Sequence, residues 1–343
     1  MCIRDRITNK EVWGNRRVQG LIRHPESMDE ELYTVVRTES RKWWDRSSLG
    51  RPDKGGLILT PTDIIFCHMH RNMSYPKLDW LKEILPDRPE LIFESLVNEA
   101  LRSPGNKVVW HDHFEPMSLS YATGTNALRW NSNSHPDKGP PDSEVRWFHA
   151  RSYFQPSELL DWTKEVNEVG RLAEILIVDD DLDVVSYRLQ EFSPNGEASK
   201  EDLNSRKSIQ LIEGSSFMSM ETQKKLPSYL GGYVIDENQL QRNKDMKELV
   251  YRDLLDRGLF VRSGFKYGVR WRAYASSDFS DHAPWLISQP DALPSNWISA
   301  CQGSRLASGV GKTMLLPVVQ KTVRYLGVLR PPSDARWNLN RRN

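Results

Sequence analysis

Leu96–Val108 reads L-V-N-E-A-L-R-S-P-G-N-K-V, and Leu249–Val261 reads L-V-Y-R-D-L-L-D-R-G-L-F-V. The two stretches run together without a gap. In each, apolar residues fall at helical spacing, a glycine follows (Gly105, Gly258), and an extended segment begins. Glycine ends a helix readily because it enters the left-handed conformation without a Cβ penalty. Each stretch therefore predicts helix, glycine stop, strand. Further on, A-L-R-W ending at Trp130 matches G-V-R-W ending at Trp271, and V-G-R at Val169–Arg171 matches V-G-K at Val310–Lys312. Trp271 follows Trp130, and Lys312 follows Arg171, by the same 141 residues. An apolar strand comes after each, at Ile175–Val178 and Met314–Val319, and a second near Val184–Leu189 and Val323–Val328. This alternation predicts an α/β (α+β) unit occurring twice, each with a small N-terminal α/β lobe and a C-terminal mixed-sheet lobe flanked by helices.

Residues 7–192 are read as the first repeat, 193–207 as a polar linker, 208–331 as the second repeat and 332–343 as a loose basic tail. The loop Asn131–Asp142, rich in turn formers, is expected at the surface. Met1–Arg6 (M-C-I-R-D-R) read like translated sequencing-adapter DNA and are expected to lie outside the fold. The 343 residues suffice for two or three cores. Their net charge of +1 leaves nucleic-acid binding to a local patch rather than to the total. The mean hydropathy of −0.61 and the lack of a long apolar run argue against a membrane span, and no secretory leader is seen. The three cysteines, Cys2, Cys67 and Cys301, show neither zinc spacing nor a disulfide framework, so a cytoplasmic setting is expected.

In the second repeat Tyr274, His282 and Lys312 could together cut RNA using its own 2′-hydroxyl. One group must take the 2′ proton, one must protonate the departing 5′ oxygen, and a cation must offset the charge growing on phosphorus. Histidine suits proton transfer near neutral pH, lysine supplies the charge, and tyrosine can orient or transfer a proton. The trio alone is ordinary, since a histidine standing by itself is more often structural.

The surrounding text changes the weighing. Tyr251–Tyr274 (Y-R-D-L-L-D-R-G-L-F-V-R-S-G-F-K-Y-G-V-R-W-R-A-Y) resembles the entry to the catalytic domain of archaeal-type tRNA-splicing endonucleases with two fused repeats per chain. The matching residues are Arg257-Gly258, Val261, Gly264, Lys266, Tyr267-Gly268 and Tyr274. Asp281-His282 and R-L-A-S-G-V-G-K (Arg305–Lys312) continue the pattern. The resemblance is specific over about 246–330 and weaker over about 56–190, where L-I-L-T-P-T-D resembles the start of the same unit. Departures are Ala283-Pro284 after the histidine, Gly311 for an arginine, and Ser308 for a histidine.

The resemblance implies a catalytic triad of Tyr274, His282 and Lys312 that needs no metal or other cofactor and leaves 2′,3′-cyclic phosphate and 5′-hydroxyl ends. It implies an RNA clamp of Arg305 with Arg330, or failing that Arg324. The substrate would be precursor tRNA, cut at bulge-helix-bulge junctions by a homodimer. The acidic loop Asp179, Asp180, Asp181 and Asp183 would dock onto a neighbouring unit, and its plain alternative is a solvated turn. By the 141-residue offset the first-repeat counterparts of the triad are Asn133, Pro141 and Arg171, so that repeat would be a dead structural unit. A non-catalytic subunit of such an enzyme is the second reading.

Four other motifs point elsewhere. Ala307–Thr313 lacks the first glycine of a phosphate loop, its place being taken by Leu306. Cys67–His70 and His111–His113 lack a second ligand pair at metal spacing. The aspartate run could suggest Mg²⁺, but no lysine is placed beside it.

Overall fold

The computed structural model describes residues 21–23, 33–35, 40–53, 56–198, 207–212, 215–219, 232–236, 246–276 and 282–331. Met1–Arg6, Asp281 and the tail 332–343 lie outside these. The chain is α+β and divides into two compact units. The first holds described residues up to Ser152 with Trp162–Arg188, and the second holds Tyr153–Asp161 with Leu189–Arg330. No helix among the described residues is long and apolar enough to cross a membrane.

The first unit opens with a small antiparallel sheet of β1 (Leu21–Arg23), β2 (Tyr33–Val35), β3 (Arg51–Asp53) and β4 (Gly56–Leu59), in the order β1-β2-β4-β3. Helices α1 (Ser40–Ser47), α2 (Pro61–Arg71), α3 (Trp80–Ile84) and α4 (Leu91–Arg102) accompany it. The T-P-T-D sequence starts α2 as a capping box. Thr60 Oγ1 accepts the Asp63 N–H at 3.1 Å, and Asp63 Oδ2 accepts the Thr60 N–H at 3.3 Å. Pro61 occupies the first turn, where its missing N–H costs nothing. Trp44, Leu59, Ile64, Trp80, Leu128 and Trp130 share one core.

Next come β5 (Lys107–Trp110), β6 (Ala127–Trp130), β7 (Ser143–His149), α5 (Pro156–Glu168), β8 (Leu172–Val178) and β9 (Val184–Phe192). β5, β6 and β7 pair antiparallel, whereas β7 and β8 pair parallel across the α5 crossover. The first five residues of β9 belong to this unit and the last four to the second.

A three-stranded antiparallel sheet comprises β10 (Lys207–Ile212), β11 (Ser215–Ser219) and β12 (Gly232–Asp236). The second unit then runs α6 (Met246–Asp256), β13 (Phe260–Ser263), β14 (Trp271–Tyr274), β15 (Trp285–Ile287), α7 (Trp297–Gly309), β16 (Thr313–Val319) and β17 (Val323–Leu329). β13, β14 and β15 are antiparallel, β15 and β16 are parallel across α7, and β16 and β17 form a hairpin. Val250, Leu254, Trp271, Ile287, Leu315 and Tyr325 make its core.

From α4 and α6 onward the order of elements is the same in the two units. Before them the described residues form a four-stranded sheet with helices in the first and a three-stranded sheet in the second. The ladders correct the counterparts given by the 141-residue offset. Lys107 pairs with Trp130, and Phe260 pairs with Tyr274. The residue at the place of Tyr274 is therefore Trp130, not Asn133. The R-W match slips by three residues, and an odd slip would turn every side chain to the opposite face of the sheet. Asp142 O accepts the Leu172 N–H at 3.0 Å, and Pro284 O accepts the Thr313 N–H at 2.9 Å. That sets Pro140, not Pro141, at the place of His282. Arg171 does stand where Lys312 stands.

The two helix-stop glycines adopt left-handed backbone, with φ +89° at Gly105 and +72° at Gly258. At Gly258 a second constraint acts. The first residues of the expected linker lie against this turn, since the Gly196 N–H donates to Arg257 O at 2.9 Å and the Ala198 N–H to Gly258 O at 2.8 Å. A Cβ on Gly258 would stand 2.5 Å from Gly196 O. Gly258→Ala is expected to destabilise by about 2 kcal/mol or more, from left-handed strain plus the clash. Gly105→Ala meets only the strain, because its Cβ finds nothing closer than 3.6 Å. Chemical denaturation of the two variants measures the difference, and equal losses would refute the clash.

Candidate active site

Three adjacent strands bring Tyr274, His282 and Lys312 to one end of the sheet in the second unit. Tyr274 is the last residue of β14. His282 lies three residues before β15, which runs antiparallel to β14 with Ala273 opposite Trp285. Lys312 immediately precedes β16, which runs parallel to β15 with Trp285 opposite Thr313. The end of one strand and the beginnings of the next two therefore coincide. Neighbouring strands lie about 4.8 Å apart, so the three side chains issue within about two strand spacings.

Lys312 is fixed from both chain directions. At the end of α7 its N–H donates to Ala307 O at 2.9 Å, and Gly311 turns the chain at φ +68°. The departure to glycine at 311 thus occupies a helix-stop position that favours it. The Lys312 side chain is buried, at 7% exposure, and its Nζ donates to Ala283 O at 2.8 Å. This bond ties the ammonium to the neighbour of His282. His282 itself is exposed. Ala283 and Pro284 serve the site through their carbonyls, one to Lys312 Nζ and one to the Thr313 N–H. Neither contact needs the side chain that the family pattern has there.

Tyr274 is buried at 7% exposure, and the guanidinium carbons of Arg262 and Arg272 each lie 5.8 Å from its ring centroid. Arg262 and Arg272 are directly opposite in the β13–β14 ladder, and Tyr274 falls two residues beyond Arg272 on the same face. Burial lowers the pKa of Arg262, and the neighbouring Arg272 lowers it further, whereas Tyr274 opposes the shift. Tyr267 adds a second ring, with Lys312 Nζ 5.5 Å from its centroid and Lys266 Nζ 5.0 Å. Reading Tyr274, His282 and Lys312 alone misses Arg262, Arg272 and Tyr267. The alternation in R-W-R-A-Y could have revealed Arg272, and Tyr267 stands among the residues that carry the resemblance, but its place beside Lys312 comes from the turn and that of Arg262 from the hairpin pairing.

Arg305 is exposed on α7, whose Ser304 Oγ donates to Val328 O at 2.6 Å, and Arg330 is exposed just past β17. Arg324 is already engaged. Glu191 accepts its Nε at 2.8 Å and its Nη2 at 2.9 Å, and Asp161 accepts Nη1 at 2.5 Å. These carboxylates hold its pKa above the ordinary guanidinium value. Arg257 is similarly occupied, by Asp253 at 2.6 Å and Ser193 Oγ at 3.0 Å.

In the first unit, Arg171 Nη1 donates to the buried Glu144 at 2.7 Å, and Trp130 is fully buried. In the acidic loop, Asp179 Oδ1 accepts the N–H of Asp181 at 3.0 Å and of Asp183 at 2.9 Å. Asp180 pairs with Arg151, and His149 Nε2 lies 3.4 Å from it. The remaining motifs have structural partners. His68 Nδ1 contacts Met73 O at 2.9 Å, His70 pairs with Glu99 and His113 with Asp63. Burial pushes the Cys67 thiol well above its usual pKa. Ala307–Thr313 passes from helix to strand, the reverse of the strand-to-helix order of a phosphate loop.

This lobe is similar to a class of proteins, the tRNA intron endonucleases. Residues 245–325 match the family model described as tRNA intron endonuclease, catalytic C-terminal domain. Among particular relatives, the tRNA-splicing endonuclease of Pyrococcus furiosus is 42% identical over 78 residues, 22% of this chain and 45% of that protein. That of Thermoplasma volcanium is 38% identical over 88 residues, 25% of this chain and 30% of that protein. That of Picrophilus torridus is 28% identical over 145 residues, 41% of this chain and 49% of that protein. The chain spans less than half the length of each of these relatives.

Proposed function

We propose that the chain is an endoribonuclease that excises introns from precursor tRNA, cutting at bulge-helix-bulge junctions without a metal. The convergence of Tyr274, His282 and Lys312 at one end of β14, β15 and β16 carries this reading. The RNA 2′-oxygen attacks the adjacent phosphorus, and the phosphorus–O5′ bond breaks. Tyr274 receives the 2′ proton or orients the hydroxyl, and His282 gives a proton to O5′. Lys312 offsets the charge that builds on the phosphorane. The products are a 2′,3′-cyclic phosphate and a 5′-hydroxyl, with no water consumed.

Arg305 and Arg330 are the preferred clamp for a bulged base, because a guanidinium stacks on any base face and Arg324 is held by two carboxylates. Recognition through shape and unstacked bases suits RNA, whose deep groove resists side-chain reading. The first repeat, 7–192, serves as a non-catalytic partner to the catalytic repeat, 208–331, whose nuclease lobe is about 246–331. In a cytoplasmic homodimer, the exposed Asp179–Asp183 loop docks onto a neighbouring unit, and two live sites make the two cuts.

The test is incubation of the wild-type protein with a bulge-helix-bulge RNA in excess EDTA, with end-group analysis. Two cuts leaving cyclic-phosphate ends are expected. A folded protein that cuts nothing would favour the second reading, a non-catalytic subunit, for which the altered residues after His282 speak. Cutting that EDTA abolishes would replace the mechanism with a metal-dependent one.

A further inference from the structure

We infer that Tyr267 is a positioning residue for Lys312, acting through the face of its ring. The inference rests on the proposed role of Lys312 as the cation beside the scissile phosphate. The half-buried ring of Tyr267 lies 5.5 Å from Lys312 Nζ, within the range of an attractive cation–π contact. The Ala283 carbonyl accepts from the same nitrogen at 2.8 Å. A lysine ammonium on four rotatable carbons is a mobile point charge. Here a hydrogen bond and an aromatic face hold it, and Lys312 is only 7% exposed. A ring is suited to this place because it attracts the cation without taking a proton or forming an ion pair, so the charge remains available to the phosphorane. A carboxylate there would offset that charge.

Tyr267 reaches the site by local geometry. It closes the short turn Phe265–Tyr267 after β13, with its N–H donating to Gly264 O at 2.8 Å. Gly268 follows in left-handed backbone at φ +68°. Gly264 has no room for a side chain, since a Cβ would meet Val269 Cγ2 at 2.5 Å and Val269 O at 2.7 Å. The backbone of the turn is therefore closely packed where it leaves β13.

The test compares Tyr267→Phe and Tyr267→Leu in single-turnover cleavage of a bulge-helix-bulge RNA, in wild-type and Lys312→Ala backgrounds. Tyr267→Phe should cut at close to the wild-type rate. Tyr267→Leu should lose about tenfold in kcat with KM unchanged, as expected for a buried cation losing an aromatic face. In the Lys312→Ala background the leucine change should cost nothing further, because the two residues act as a unit. Equal loss in both backgrounds, or no rescue by phenylalanine, would overturn the inference. If the leucine variant does not fold, phenylalanines with one, two and three ring fluorines at 267 keep the shape while weakening the ring's negative face. A stepwise fall in kcat is then expected, and a flat series overturns the role.

Lysine side-chain NMR separates this outcome from failure of the parent reading. The Lys312 ε-methylene protons should carry a ring-current shift that Tyr267→Leu removes. Wild-type protein that shows the shift but cuts no RNA overturns the reading of the site as catalytic, and the role of Tyr267 with it. Protein that cuts RNA without showing the shift overturns the role of Tyr267 alone.

Discussion

His282→Ala is expected to slow RNA cleavage by roughly 10²–10⁴-fold, the usual worth of a positioned proton-transfer group, while leaving the fold intact. His282 is exposed three residues before β15, and substitutions at such positions typically change stability by no more than about 0.5 kcal/mol. The side chain proposed to act on the substrate is thus separate from the contacts that hold the site. Those contacts are the Lys312–Ala283 bond at 2.8 Å and the buried Ala283. Single-turnover rates and thermal unfolding of the same preparation distinguish the cases. A large rate loss with an unchanged Tm supports His282 as the proton donor. A variant that cuts at the wild-type rate removes it from the mechanism, and the burden of acid and base would then fall on Tyr274 alone.

Arg102→Ala is expected to destabilise the first unit by about 3–5 kcal/mol, the range for breaking a buried ion pair from one side. Arg102 Nη2 meets Asp63 Oδ1 at 3.4 Å, with the two side chains 3% and 2% exposed. The same guanidinium donates to the carbonyls of Val108 at 2.7 Å, Ser47 at 2.7 Å and Ser48 at 3.3 Å, and its Nε to Asn98 at 2.8 Å. One side chain thereby joins α1, α2, α4 and β5. Burial lowers the pKa of Arg102, and Asp63 counteracts this. Alanine would leave the Asp63 carboxylate without the guanidinium, with His113 still beside it, and the carbonyls of Ser47, Ser48 and Val108 without this donor. Arg102→Met should cost nearly as much, because the stem is replaced and the donors are not. Urea denaturation measures both, and a loss under about 1 kcal/mol for alanine would show that water enters and takes over the bonds.

Much of the local structure can be read in the sequence because it is decided within a few residues. The helix, glycine and strand of Leu96–Val108 appear as α4, Gly105 at φ +89° and β5. Those of Leu249–Val261 appear as α6, Gly258 at φ +72° and β13. The T-P-T-D run caps α2 by contacts three residues apart. Apolar spacing, caps and left-handed glycines act through neighbours along the chain.

Pairing across the sheet acts through residues far apart in the chain, and only the tertiary structure decided it. The 141-residue offset was right for Arg171 and Lys312, next to β8 and β16, but wrong for Asn133 and Pro141, because the intervening loops differ in length. Backbone hydrogen bonds place Trp130 opposite Lys107 as they place Tyr274 opposite Phe260. The order Tyr274, His282, Lys312 was legible in the sequence. That they issue from one end of three adjacent strands depends on β15 running antiparallel to β14 and parallel to β16. Likewise Arg324 and Arg330 look equivalent as letters. The fold gives Arg324 to Glu191, 133 residues away, and leaves Arg330 exposed. Charge and residue type belong to the sequence, whereas a charge's partner is set by which distant segments the packed core brings together.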